Sequence, residues 1–212
     1  MKTLIFIGGA TACGKSTLAD SLYQNIPDSI KYRRHQGFFD IASQKNIPKN
    51  ELYKKITSDE VDDWFVNVCK KYNIVISDVH YAVQISRNGI DNNPNVNIYQ
   101  RYVPTISNNL LSKILLENIR IIAVFLSCTP DQCLARAISR YNENQKNIRN
   151  ISVEDASIES VSEEKEWNNI LSIGMVEGLK LDSGQFSVEE LTNQFLEYLK
   201  KTEEKTLKKT KK

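Results

Sequence analysis

The sequence predicts an α/β fold of three layers, in which helices cover both faces of a five-stranded parallel sheet. Five apolar runs rich in β-branched residues recur along the chain, and the intervals between them leave room for helices. Strands that alternate with helices need crossover connections, which produce a parallel sheet. The runs cover residues 3–7, 30–33, 74–77, 119–126 and 176–181.

Helix starts are marked clearly between these runs. Thr57-x-x-Glu60 and Ser187-x-x-Glu190 have the spacing of capping boxes, in which each side chain satisfies a free backbone amide of the first turn. Pro130 follows Thr129 at a typical first helical position. A further helix is expected over residues 16–25, directly after the first strand.

Composition excludes disorder and an integral membrane protein. The chain has 212 residues, of which 41% are hydrophobic, and its mean hydropathy is −0.41. No run approaches the roughly 20 apolar residues of a membrane span. The four cysteines contain no C-x-x-C pair, so we expect free thiols in the reducing cytoplasm. They are Cys13, Cys69, Cys128 and Cys133.

Charge is distributed unevenly along the chain. The formal net charge is +2, but residues 205–212 carry five lysines and no acid, so the rest of the chain has a charge of −3. A mildly acidic body argues against a nucleic-acid-binding surface across the fold. We expect one domain over residues 1–202 and a basic tail, residues 203–212, that continues a helix into solvent.

Two polar segments interrupt the pattern of strands and helices. Residues 87–105 are rich in Asn and contain Gly89, Pro94 and Pro104, which predicts a long surface loop. Residues 141–162 form a second polar segment, ahead of a helix that holds Trp167. Trp64 and Trp167 are expected to pack between elements rather than to stack on bases.

A phosphate-binding motif follows the first strand. The motif fits G-x-x-x-x-G-K-[ST], and its strand–loop–helix context is the one that supports a nucleotide site. Backbone amides and a helix N-terminus would cradle the phosphates of ATP, Lys15 would reach the β- and γ-phosphates, and Ser16 would ligate Mg²⁺. Thr17 is a further candidate phosphate contact, and Cys13 is best interpreted as a small filler. The loop comprises Gly9, Ala10, Thr11, Ala12, Cys13, Gly14, Lys15 and Ser16.

Three other positions are candidates for the same site. Asp78 ends the apolar run at residues 74–77 and is the expected Mg²⁺ carboxylate. His80 could face the same cleft or serve as a structural histidine. Arg136 and Arg140 are four residues apart and share a helix face, and spacing alone favours an ordinary solvated face over a site. Arg149 lies in the polar segment beyond.

Together, the phosphate loop, the Ser77-Asp78-Val79-His80 strand end and residues 128–140 resemble the nucleoside monophosphate kinases, most closely the archaeal-type adenylate kinases. The resemblance covers nearly the whole chain and implies a P-loop NTPase fold with sheet order 2-3-1-4-5 and a small lid over residues 141–152. It places Arg136 near the ATP base and Arg140 on its phosphates, and makes Arg149 a later lid arginine. Lys15, Arg140 and Arg149 would then stabilise the charge that develops during transfer.

The departures from that family lie on the acceptor side. The family's acceptor-gripping arginine falls on Tyr53, and replacing a bidentate guanidinium with a phenol removes a phosphate clamp. Substitute cations could be any of Arg33, Arg34, Lys49 and Arg101.

The sequence therefore predicts a cytoplasmic kinase that uses Mg-ATP and a small-molecule acceptor, with a nucleoside monophosphate as the first choice. A nucleoside or another small hydroxyl metabolite is the alternative acceptor. A second alternative is an ATP-switched assembly factor that acts on a protein or RNA partner.

Overall fold

Five parallel strands form the central sheet of the protein, seen here in a computed structural model. The structure describes residues 1–84, 102–144 and 152–210, and the side chains of residues 1–84, 102–140 and 152–202. The strands are β1 (Thr3–Gly8), β2 (Ser29–Lys31), β3 (Ile74–Asp78), β4 (Ala82–Gln84), β5 (Tyr102–Pro104), β6 (Arg120–Ser127) and β7 (Val176–Asp182). The helices are α1 (Lys15–Asn25), α2 (Gln36–Lys45), α3 (Leu52–Lys55), α4 (Ser58–Lys71), α5 (Asn108–Leu116), α6 (Pro130–Asn144), α7 (Val153–Leu171) and α8 (Val188–Thr210).

The central sheet has the order β2-β3-β1-β6-β7, and β4 pairs with β5 in a separate antiparallel ribbon. Counted along the chain, the five sheet strands have the order 2-3-1-4-5, which confirms the expected topology. All neighbours in this sheet are parallel. Their carboxyl ends therefore meet at one edge, which is where ligands bind in open α/β sheets.

Two hydrophobic cores lie on opposite faces of the sheet because successive side chains of a strand point to opposite sides. Leu4 and Phe6 of β1 belong to a core shared with α4, α5 and α7. Ile5 and Ile7 belong to a second core shared with α1 and α8. The sheet is thus covered on both faces, as the continuous apolar runs of its strands require.

The expected helix starts are confirmed. Thr57 and Glu60 form a reciprocal capping box at α4, Ser187 and Glu190 bond in the same way at α8, and α6 begins at Pro130. None of the helices formed by the described residues combines the length and apolar character that a membrane crossing requires.

The second polar segment differs from its expected form. Helix α6 continues to Asn144, and α7 already begins at Val153. The start of α7 is a capping box formed by Ser152 and Asp155. Most of the segment is therefore helical, and the part of the expected lid at residues 145–151 lies outside the described residues.

Tight packing at Gly8 fixes the end of β1. A Cβ atom on Gly8 would lie 2.2 Å from Cε2 of Tyr81, far closer than carbon atoms approach one another. Tyr81 is fully buried, and its hydroxyl donates to the carbonyl of Val124 at 2.8 Å. Glycine at position 8 thus lets the Tyr81 ring lie across β1 and reach β6.

We expect Gly8→Ala to lower the free energy of unfolding by about 1–3 kcal/mol, because the added methyl group overpacks a filled core. Urea denaturation measures this loss. In the double variant Gly8→Ala/Tyr81→Leu the clashing ring atoms are gone, so the double variant should lose less than the sum of the two single losses. Strict additivity would contradict the contact.

Candidate functional site

The loop between β1 and α1 curls so that its backbone faces inward. Gly9, Ala12 and Gly14 all have positive φ, at 138°, 63° and 96°. Glycine is required at position 9, since a Cβ there would lie 2.3 Å from the carbonyl oxygen of Leu126. The amide of Cys13 donates to the carbonyl of Ala10 at 3.2 Å. Successive amides in such a curl form a concavity suited to an anion.

Lys15 closes this loop from inside. Its ammonium group donates to the carbonyls of Gly9 and Ala10 at 2.7 and 2.8 Å. Cys13, a member of the same loop, is fully buried. Burial raises the pKa of its thiol to about 11. This supports the interpretation of Cys13 as a packing residue, because its thiolate is suppressed.

Asp78 meets the start of α1 because it is the last residue of β3 and pairs in register with Ile7. The Ser16 hydroxyl donates to its carboxylate at 2.7 Å, and Nε of Arg33 donates to the other oxygen at 2.7 Å. Burial raises the pKa of Asp78, but the bonds from Arg33 and Ser16 and the charge of Arg33 outweigh burial and lower it overall. A hydroxyl and an ionised carboxylate this close are an oxygen donor set that suits Mg²⁺.

A cavity of about 470 Å³ opens beside these groups and is called the larger cavity below. Its charged lining comes from Lys15, Arg33, Arg34 and Arg140, with Asp78 as the acidic member. Apolar wall comes from Phe6 of β1, Val79, Val83 of the ribbon, Ile106 and Leu110. The cations make this cavity suitable for an anionic ligand.

A second cavity of about 360 Å³, called the smaller cavity below, is also lined by the phosphate loop, through Ala12, Cys13 and Gly14. Thr17 lines it, as do Arg136 and the apolar residues Phe186, Val188 and Leu191. The Arg136 guanidinium donates to the carbonyl and the hydroxyl of Ser183. Arg140 lines both cavities, so the two arginines on this face of α6 reach the site from one side.

Two buried glutamates of α7 contact the phosphate loop and the segment that follows β3. Glu159 accepts bonds from the amide and hydroxyl of Thr11, at 3.1 and 2.8 Å. Glu163 is hydrogen-bonded to Nδ1 of His80 at 2.6 Å and accepts a bond from the amide of Tyr81. Burial raises the pKa of Glu163 in spite of these partners. These contacts join α7 to both the phosphate loop and the end of β3.

The same three side chains could in principle hold a cation. One ligating atom each from His80, Glu159 and Glu163 lies within 4.8 Å of the others. Their protein hydrogen bonds, however, already satisfy both carboxylates without an ion. Sequence reasoning missed Glu159 because it treated residues 141–162 as a polar segment, although the Ser152–Asp155 capping spacing marked a helix start there. Glu163 lies in the expected helix that holds Trp167, and no local motif marked it.

The remaining predicted residues divide into those the structure places away from the site and those outside the described residues. Tyr53 is 76% exposed, and its ring packs against Phe38 at a centroid distance of 5.1 Å, away from the lining of both cavities. Lys49 lies in the short 3₁₀ turn before α3 and is also absent from both linings. Arg101 and Arg149 lie outside the described residues.

Solved structures of similar fold include two kinases and a tunicamycin resistance protein. The tunicamycin resistance protein of Deinococcus radiodurans matches with a TM-score of 0.53 and 11% identity, covering 94% of this chain and 96% of that one. Deoxyadenosine kinase from M. mycoides with bound dATP matches with a TM-score of 0.53 and 13% identity, covering 93% of this chain and 100% of that one. A gluconokinase from Sinorhizobium meliloti 1021 matches with a TM-score of 0.51 and 9% identity, covering 97% of this chain and 95% of that one. No protein-family model and no curated protein matches the sequence.

We expect Arg34 to act mainly in stability. Its guanidinium is committed to the buried Asp62 and to Ser58, so Arg34→Met leaves a buried carboxylate without its cation. Unfolding free energy should fall by about 1–3 kcal/mol in urea denaturation. The double variant Arg34→Met/Asp62→Leu should recover most of that loss, since it removes both charges. An Arg34→Met protein as stable as the wild type would contradict this role.

Proposed function

We propose that the protein transfers the γ-phosphoryl group of Mg-ATP to a small acceptor that carries an anionic group, with a nucleoside monophosphate as the first candidate. One observation carries the proposal. The phosphate loop lines two cavities, and Ala12 and Arg140 belong to both linings. Ligands bound in the two cavities would meet at the loop, in the geometry that direct transfer needs.

The smaller cavity suits the nucleoside part of ATP. Phe186, Val188 and Leu191 give it apolar wall, and Arg136 stands beside them. A planar base can pack on apolar side chains and on a guanidinium plane. The phosphates would then run along the loop amides toward Lys15 and Ser16, which line the larger cavity.

The larger cavity suits an anionic acceptor. Arg33 reaches the lining from the end of β2, and its side chain is 37% exposed although it is paired with Asp78. We propose that Arg33 supplies the acceptor-side charge that the family places at the position of Tyr53. In this arrangement two nitrogens of the guanidinium donate to Asp78, and its remaining N–H groups donate to the acceptor.

Catalysis would rest on positioning and on charge. Lys15 and Arg140, joined by Arg149 from the proposed lid, would stabilise the charge that spreads over the transferred group. Ser16 and Asp78 would hold Mg²⁺, which when bound neutralises part of the phosphate charge. Lys15 must leave its carbonyl partners to reach the phosphates, because its ammonium group now caps Gly9 and Ala10.

A hydroxyl acceptor is the second candidate. The position of Tyr53 favours it, because the family's arginine clamp is missing there and the phenol lies outside the cavity. The gluconokinase and the deoxyadenosine kinase of similar fold are named for substrates whose hydroxyl groups can be phosphorylated. Asp78 at the cavity wall could accept the hydroxyl proton.

Replacing Lys15 with Ala should lower kcat for phosphotransfer at least about 10²-fold, because a charge that stabilises the transition state is lost. Coupled measurement of ADP formation checks this. Lys31→Ala is the matched control: Lys31 pairs with Asp20 at the surface, so its loss should leave kcat unchanged. Full activity of the Lys15→Ala protein would overturn the proposal.

An acceptor screen at fixed Mg-ATP separates the two candidates. We expect one nucleoside monophosphate to stimulate ADP formation, and Arg33→Met to raise the KM for that acceptor at least about tenfold through loss of a charged hydrogen bond. Lys49→Met, outside the cavity lining, should leave KM unchanged. Stimulation by nucleosides or sugars alone would favour the hydroxyl acceptor, and hydrolysis indifferent to every acceptor would favour an ATP-switched factor.

A further inference from the structure

The start of α6 is built as a reciprocal cap. The amide of Thr129 donates to the side-chain oxygen of Gln132 at 3.0 Å, and the amide of Gln132 donates to the Thr129 hydroxyl at 3.3 Å. The first backbone bond of the helix runs from the amide of Cys133 to the carbonyl of Thr129 at 3.0 Å. Thr129 is therefore the cap residue, and Cys133 is the fourth residue after it.

A helix start of this kind places the residue before the cap against the fourth residue after it, usually as a contact between two apolar side chains. In this protein both positions are cysteines. Cys128 precedes the cap, and its Sγ lies 2.7 Å from the Sγ of Cys133. The local backbone, held by the cap, thus keeps two thiols in direct contact.

The two sulfurs have different surroundings. Cys133 is only 2% exposed, whereas Cys128 is half-buried. Cys128 lies beside the N-terminus of α6, whose free amides favour a thiolate. The hydrogen bond with Cys133 lowers the pKa of Cys128, and burial opposes this effect. The charge of Arg136 and a hydrogen bond with Ser183 also lower the pKa, whereas Asp182 raises it, and the resulting pKa is about 7.

The other two cysteines lack these features. Cys13 and Cys69 are buried, and burial raises their thiol pKa values to about 11 and about 12. Oxidation requires a thiolate that the oxidant can reach. The contrast within one chain therefore singles out the pair at the start of α6.

We propose that Cys128 and Cys133 are a site of reversible oxidation by hydroperoxides. The Cys128 thiolate attacks the peroxide, its sulfur is oxidised to sulfenic acid, the O–O bond breaks, and the alcohol or water leaves. The Cys133 thiol then attacks that sulfur, a disulfide forms, and the sulfenic oxygen leaves as water. A thiol reductant restores both thiols. This inference does not depend on the proposed kinase activity.

The test uses the full-length protein and needs no substitution. Trypsin releases residues 121–136 as one peptide that contains both cysteines and no other. After treatment with graded hydrogen peroxide and alkylation in denaturant, we expect this peptide to lose both alkylation sites and to be lighter by two hydrogen atoms than its reduced, unalkylated form. Cys13 and Cys69 should remain alkylated, and dithiothreitol should restore both sites.

Single variants assign the order of the two steps. Cys133→Ser should stop at the sulfenic acid on Cys128, which dimedone traps, and Cys128→Ser should leave Cys133 alkylatable at the same peroxide dose. Cys69→Ser is the matched control and should form the disulfide as the wild type does. The proposal is overturned if Cys13 or Cys69 reacts first, or if wild-type Cys128 passes to sulfinic acid without a disulfide.

Discussion

The parallel register of β1 with β3 and β6 is the constraint on which the site depends. It places Ile7 beside Asp78 and Gly8 beside Phe125, so the phosphate loop, Asp78 and the start of α6 emerge at the same edge of the sheet. A one-residue shift of β3 would turn every side chain of that strand to the opposite face. The two cores on either side of β1 prevent such a shift, because each requires its own alternate residues.

Charge at the site is balanced by pairing rather than by solvent. Arg33 forms an ion pair with Asp78, and Lys15 donates hydrogen bonds to two loop carbonyls. Glu159 accepts hydrogen bonds from the amide and hydroxyl of Thr11. Each of these groups is part of, or adjoins, the proposed path of the phosphates. In the proposed function, ligand binding would therefore exchange partners, with phosphate oxygens taking Lys15 from its carbonyls. Glu159 of α7 already holds one loop amide, so α7 is tied directly to the loop.

Local signals in the sequence predicted most of the framework. The five apolar runs, the glycine-rich motif and two capping boxes located the strands of the central sheet, the phosphate loop and the starts of α4 and α8, because each depends on a few neighbouring residues. The ribbon strands were not predicted, and β5 lies at the end of the stretch expected to be a surface loop. The pairing of Arg33 with Asp78 was beyond such reasoning, since 45 positions separate the two residues. Glu159 was missed because a helix whose buried face carries carboxylates has the composition of a polar loop. Glu163 lay in an expected helix but was missed because its partners, His80 and Tyr81, are 83 and 82 positions away. The predicted roles of Arg136, Arg140 and Arg149 stay predictions.

The start of α6 links chemistry that the sequence presents as separate motifs. One capped turn follows β6, and the helix it begins carries Arg136 to the smaller cavity and Arg140 to both cavities. The same turn holds the two contacting thiols, and Arg136 lowers the pKa of one of them. A disulfide at this turn would fix the direction in which the helix leaves the sheet. Because both arginines project from that helix, the oxidation state of the turn and the placement of these cations are geometrically connected.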